Sequence, residues 1–277
     1  MTYRNDNMAA LRFKAAFNHT SEPVPLSQIQ KPYQIKNLLI QFFELEENRD
    51  HLLKGSGTID VYKPNDKVVS FDFQALMRRW KLESSYFGKD IAPSEYDVRF
   101  LDLIVQTKFL VFVIFVNAII GFKLIYTPLE DEHEEGKSDW EPEYEFLLLA
   151  EDFRADGPPP LLFIFNQLTG KGAEPTPYKL LNDIHLHHAY LKVNARLHID
   201  DASGKESITF QSASRAEITV QFPSILLKII PVPTEMIERK GSLALQESMK
   251  KDVVSGMSNF RRAFVKWMYR YHGDDLK

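Results

Sequence analysis

The sequence predicts an α+β protein with a mainly antiparallel β-sheet or sandwich core, N-terminal helices and a helical C-terminus. Three observations carry this prediction: an alternating apolar–polar run at 189–199, a Val/Ile/Phe-rich tract at 100–126, and amphipathic spacing at the C-terminus. Strand and helix patterns in separate parts of a chain are typical of this class. A chain of 277 residues can bury a core without disulfides or metals.

The N-terminal region predicts helices. We interpret Met8 to Phe17, with its alanines, as a short helix. The segment Gln34 to Leu45 predicts a second helix, with a long strand as the alternative, because its apolar residues recur three and four apart. These residues are Ile35, Leu38, Leu39, Phe42 and Phe43. Short strands are expected at 58–62 and 68–73, and a further helix at 74–82.

The most hydrophobic stretch, 100–126, has the length of a transmembrane helix, but its residues favour strands. Lys108 and Asn117 interrupt it, and a lone charge near a bilayer centre costs several kcal/mol. Val, Ile and Phe are strand-forming residues. We therefore predict two or three consecutive strands buried on both faces, with a break at Asn117-Ala118.

Two features divide the chain near its middle. Residues 130–145 are rich in Asp and Glu and predict an exposed acidic loop. The sequence Gly157-Pro158-Pro159-Pro160 is typical of a linker. We predict an N-terminal α+β region at 1–156, with the buried strands and acidic loop, and a C-terminal region at 157–277. One compact domain is the alternative.

The C-terminal region predicts an antiparallel meander followed by helices. The alternating strand at 189–199 is expected to form a hairpin with a strand at Ile208 and Phe210. Further strands are expected at 161–165, 216–222 and 225–230. Three helices then follow, each beginning at a hydroxyl residue that can cap its N-terminus. These residues are Thr234, Ser242 and Ser258.

The last predicted helix separates aromatic residues from basic ones. Its basic residues are Arg261, Arg262, Lys266 and Arg270. We predict that these four residues bind an anionic partner, either a membrane surface or a nucleic acid. The alternative is a terminal helix that packs its aromatic residues into the core and leaves its charges in water.

The sequence contains no motif typical of catalysis or of cofactor binding. The chain has no cysteine, which excludes disulfides, thiolate catalysis and cysteine-ligated metals. Nucleophile-elbow, Walker and dinucleotide-binding motifs are absent. We therefore assign no catalytic residue, no cofactor and no small-molecule substrate, and lean against an enzyme. The absence of cysteine fits the cytoplasm or another reducing compartment, with attachment to a membrane periphery as an option.

His185 and His187 are the candidates for a metal site. On a strand these two side chains share a face, and His-x-His is a common metal-ligand spacing. The sequence marks no third ligand, so we do not predict a bound metal. An enzyme with a dispersed histidine–metal site remains an alternative function.

The leading functional prediction is a non-enzymatic, self-associating structural or assembly protein. Twenty Phe and eleven Tyr provide material for both core and interface. Charges of opposite sign occupy separate segments, which favours contact between copies in a homo-oligomer. Ser85-Tyr86-Phe87-Gly88, with a polar stretch and long strands after it, resembles rhabdovirus matrix proteins over those four residues. A viral matrix or coat role fits; the alternative is an adaptor that docks its basic C-terminal helix on an anionic membrane or nucleic acid.

Overall fold

An antiparallel sheet organises the part of the chain that the computed structural model describes. The described residues are 8–26, 32–56, 58–63, 85–86, 89–90, 97–107, 112–128, 140–156, 187–199, 206–223 and 233–272. The strands are β1 (Met8–Thr20), β2 (Val24–Pro25), β3 (Thr58–Tyr62), β4 (Ser85–Tyr86), β5 (Lys89–Asp90), β6 (Asp97–Thr107), β7 (Phe112–Pro128), β8 (Trp140–Asp156), β9 (His187–Ile199) and β10 (Glu206–Pro223). The helices are α1 (Pro32–Glu44), α2 (Glu46–Leu53) and α3 (Thr234–His272).

The strand order confirms the predicted α+β fold with an antiparallel sheet. Neighbouring strands follow the order β1-β10-β9-β8-β7-β6-β3, with β2 also paired to β10, while β4 and β5 pair with each other. Strands β8 and β9 pair, so strands from both sides of 157–160 share one sheet. The predicted boundary itself lies outside the described residues and stays a prediction.

The predicted helix at Met8 to Phe17 is wrong, because this segment forms β1. Each residue of β1, from Met8 to Thr20, has an antiparallel partner in β10. Leu11 and Ala15 are buried, whereas Arg12 and Lys14 are exposed. This alternation has the strand period of two. The alanines favour a helix locally, but pairing with a distant strand decides the conformation.

The Val/Ile/Phe-rich tract forms strands, as predicted, but the break lies elsewhere. Strand β7 runs unbroken through Asn117, and β6 ends at Thr107. A register shift against β8 falls between Ile119 and Ile120. Ala118 and Ile119 point to opposite faces and are both 0% exposed, so the strand is buried on both sides there. Among the described residues, no helix combines the length and apolarity that a bilayer span needs.

Two other predicted boundaries are corrected by β8 and β10. The end of the predicted acidic loop, from residue 140 onward, belongs to β8, where Glu143 and Glu145 flank the fully buried Tyr144. The predicted strands at 208–210 and 216–222 are parts of one strand, β10. Ser214 lies between them, and its hydroxyl donates to the Phe17 carbonyl at 2.8 Å, which accommodates a polar residue inside the sheet.

The three predicted C-terminal helices are a single helix, α3, of 39 residues. Gly241 and Ser242 look like a helix stop and a new cap in the sequence. In the structure a Cβ at Gly241 would lie 2.2 Å from the Phe13 ring, so the glycine permits close approach to β1. The Ser242 hydroxyl accepts the Lys14 backbone N–H at 3.1 Å. Both residues serve tertiary contacts rather than helix ends.

A cluster of aromatic rings fills the space between the helices and the sheet. Phe42 and Phe43 of α1, predicted correctly as helical, are both 0% exposed. Phe260 of α3 lies 5.1 Å from Phe42 and 5.0 Å from Phe210, measured between ring centroids. The Tyr144 hydroxyl donates to the Phe43 carbonyl, and burial raises the pKa of this tyrosine. The core therefore joins α1, α3, β8 and β10.

Several sequence predictions fall on residues that the structure does not describe. These are the strands at 68–73, 161–165 and 225–230, the helix at 74–82 and the acidic loop from 130 to 139.

Candidate interaction surface on the C-terminal helix

Helix α3 buries one side and exposes the other over most of its length. Phe260 and Phe264 are 0% exposed, and Trp267 is nearly so. The aromatic side of the predicted last helix therefore packs into the core, as the alternative interpretation stated. The opposite side of α3 remains at the surface, and its composition determines what it can bind.

Arg261 differs from the other three basic residues that the sequence singled out. Its guanidinium Nε donates to the Glu22 carbonyl at 3.0 Å, and a terminal nitrogen donates to the Pro23 carbonyl at 3.2 Å. These bonds tie α3 to the connection between β1 and β2. Arg262, Lys266 and Arg270 are exposed. That these residues bind an anionic partner stays a prediction.

The N-terminal two-thirds of α3 extends this surface with residues that the sequence analysis did not select. Exposed cations and exposed apolar residues alternate there. The reason for the omission is the predicted division of α3 into three helices, which separated these exposed residues from one another. The α3 outer face is the name used here for the following exposed residues of α3: Met236, Arg239, Lys240, Leu243, Glu247, Lys250, Lys251, Val254, Arg262, Lys266, Tyr269 and Arg270.

The charge of α3 is opposite to that of the rest of the chain. Residues 234–272 contain eight Lys and Arg against four Asp and Glu, which gives +4. The whole chain carries −4, so the remainder carries −8. Two of the four acidic residues are turned towards the body of the protein. Glu238 accepts the Arg12 backbone N–H at 2.8 Å, and Asp252 accepts the Ser56 hydroxyl at 2.5 Å.

No protein-family model matches this chain, and no curated protein matches it significantly.

A second cluster of charged residues lies between α2 and the sheet. The guanidinium carbons of Arg49 and Arg99 lie 3.7 and 5.1 Å from the centroid of the Phe122 ring. Arg99 donates to Asp50 at 3.3 Å and forms an ion pair with Glu46. Burial, followed by the charge of Arg99, lowers the pKa of Arg49. Carboxylates of the same chain neutralise both arginines, so this cluster holds α2 on the sheet.

Only one of the two histidine candidates for a metal site lies within the described residues. His185 lies outside the described residues, and His187 begins β9. Within the described part of the chain, no group of three His, Asp or Glu side chains has a geometry that could hold a metal ion. The His185 and His187 pair stays a sequence hypothesis.

Proposed function

We propose that this chain is a binding module that docks the α3 outer face on an anionic partner. The observation that carries the proposal is the concentration of exposed Lys and Arg along one helix of a protein whose net charge is −4. Attraction to an anion depends on the local arrangement of charge more than on the net charge. A helical row of cations suits a surface of closely spaced phosphates.

The attachment of α3 to the body supports this role. Asn259 donates to the Lys54 carbonyl at 3.0 Å, at the end of α2. At Gly256 a Cβ would lie 2.6 Å from the Leu52 carbonyl oxygen, so α2 and α3 are in close backbone contact. A helix held in this way presents its cations in a fixed arrangement, which reduces the ordering cost of binding.

Charge reversal tests the proposal. We expect the triple variant Arg262→Glu, Lys266→Glu and Arg270→Glu to lose binding to anionic phospholipid vesicles or to single-stranded RNA at low salt. Each surface cation contributes about 1 kcal/mol near an anionic membrane, so Lys266→Glu alone should weaken vesicle binding at least about five-fold. Vesicle sedimentation and RNA fluorescence anisotropy give the two affinities.

The matched control is Arg196→Glu, which reverses an exposed cation on β9. It changes the net charge as much as Lys266→Glu does and should leave the affinity within about two-fold, because it lies off α3. Equal losses in the two single variants, or unchanged binding by the triple variant, would contradict the proposal.

Self-association is a second candidate, supported by the same separation of charge. A helix of charge +4 on a body of charge −8 favours contact between the α3 of one copy and the acidic surface of another. Such a contact is heterologous and joins copies head to tail. Light scattering should show a larger mass at low salt than at high salt. A strict monomer at low salt and high micromolar concentration excludes this candidate.

A further inference from the structure

We infer that the anionic partner is a phospholipid bilayer and that Met236, Leu243 and Val254 insert among its lipids. The inference rests on the proposed function and assigns the class of partner. Its starting point is the arrangement of apolar residues on the α3 outer face, which an anion-binding role does not require.

These three residues form one line along α3. They are 38, 56 and 37% exposed. Their spacings of seven and eleven residues bring them within about 20° of each other around the helix, at about 100° per residue. At about 1.5 Å per residue, the line is roughly 27 Å long. Because all three side chains are exposed, they form an apolar ridge on the surface of the protein.

Cations border the ridge on both sides. Arg239 and Lys250 lie about 40–60° to one side of it, and Lys240 and Lys251 lie about 40–60° to the other. All four are exposed. Helices that lie in a bilayer interface have this cross-section, with a central apolar line between flanking Lys and Arg. The long side chains extend their methylene groups along the lipids while the charges reach the headgroup phosphates.

A nucleic acid would use only half of this pattern. Its phosphates attract the cations, but they give exposed aliphatic side chains no apolar partner. A bilayer provides headgroup phosphates and, a few ångströms deeper, acyl chains. Tyr269, which is 67% exposed between Lys266 and Arg270, is also of a type enriched at membrane interfaces.

One residue opposes docking and provides a direct test. Glu247 is exposed and lies about 20° from the ridge, between Leu243 and Val254. Its carboxylate would face anionic headgroups. We expect Glu247→Gln to increase affinity for anionic vesicles about five-fold, the effect of about one surface charge.

The absence of native cysteine allows a single probe to report insertion. An environment-sensitive fluorophore on Leu243→Cys should shift to shorter wavelength with vesicles of phosphatidylcholine and phosphatidylserine, and not with phosphatidylcholine alone. The same fluorophore on Asn18→Cys, an exposed position of β1, should not shift. In unlabelled protein, Leu243→Gln should weaken vesicle binding several-fold, whereas Leu197→Gln, an exposed apolar position on β9, should not.

The outcomes separate this inference from the proposed function. Loss of vesicle binding in Leu243→Gln, with RNA binding unchanged, supports insertion. Binding of RNA without binding of anionic vesicles overturns the inference and leaves the proposed function standing. Vesicle binding without a shift at position 243 also overturns it. Binding to neither anion removes both.

Discussion

Individual charged residues fix α2 against the sheet. Arg99 has a side chain that is 5% exposed, and its guanidinium binds two carboxylates of α2, those of Glu46 and Asp50. Lys63 also approaches Glu46, at 3.1 Å. The hydrogen bond from Lys63 and then the charges of Arg99 and Arg49 lower the pKa of Glu46. The ionised form of this carboxylate is therefore favoured by folding.

Glu46→Gln should lower the free energy of unfolding at neutral pH by about 1–2 kcal/mol. This loss is smaller than the loss expected on breaking a fully buried ion pair, because Glu46 is half exposed and Asp50 still faces Arg99. A lowered folded-state pKa stabilises the protein above the unfolded pKa, and this contribution is lost as the pH falls through the folded value. The difference between wild type and variant should therefore be full above about pH 5 and vanish in acid.

Urea unfolding over a pH series measures this difference. Glu47→Gln, on the exposed side of α2, is the control and should change the free energy by less than about 0.5 kcal/mol. A Glu46→Gln effect that is constant down to acid pH would show that the charge of Glu46 is not its cause.

At the scale of elements, α3 covers an edge of the sheet. In the described strand order β1 is the last strand and pairs with β10 on one side. On its other side the N–H groups of Arg12 and Lys14 donate to the side chains of Glu238 and Ser242. Two strand residues span about 6.8 Å and four helical residues about 6.0 Å, so the two spacings match. Where α3 occupies these N–H groups, the edge is blocked from pairing with strands of other chains.

The variant Glu238→Ala with Ser242→Ala should uncover this edge. Each lost hydrogen bond costs about 1 kcal/mol, so exchange of the Arg12 and Lys14 amides should accelerate about five-fold. Successive N–H groups of a strand point to opposite sides, so the Phe13 amide points towards β10 and its exchange rate should not change. Hydrogen exchange followed by NMR tests this, with Glu235→Ala as an exposed control on the first turn of α3. Uniform acceleration along β1 would instead indicate global destabilisation.

At the scale of the whole molecule, Phe260 joins the helices to the sheet. Its ring is 0% exposed and lies 5.0–6.0 Å from four others, those of Phe42, Phe43, Tyr144 and Phe210. These rings come from α1, β8 and β10. A single side chain of α3 therefore contacts three elements, and two of them, α1 and β8, are more than a hundred residues away along the chain.

Phe260→Ala should lower the free energy of unfolding by about 3–5 kcal/mol, because it leaves a cavity among rings that cannot collapse freely. Phe260→Leu should cost less and keeps the test informative if the alanine variant does not fold. Tyr269→Ala, at an exposed position of the same helix, should change the free energy by less than about 0.5 kcal/mol. Similar losses at 260 and 269 in urea unfolding would contradict this role.

The sequence determined the elements whose pattern is complete within the segment. The alternation at 189–199 identifies β9, and the helical spacing from Ile35 to Phe43 identifies α1, because a residue's neighbours along the chain define the buried face. The basic residues at 262, 266 and 270 were found in the same way, and all three are exposed.

Only the tertiary structure decided the roles of residues whose partners lie far away in sequence. Gly241 and Ser242 have the composition of a helix boundary, yet α3 continues through both residues. Gly241 lies against the Phe13 ring of β1, and the Ser242 hydroxyl accepts the backbone N–H of Lys14. The continuous helix then aligns Met236, Leu243 and Val254 on one side. The spacing of residues within a segment shows which of them share a face. A hydrogen bond or ring contact between residues two hundred positions apart produces no pattern within either segment.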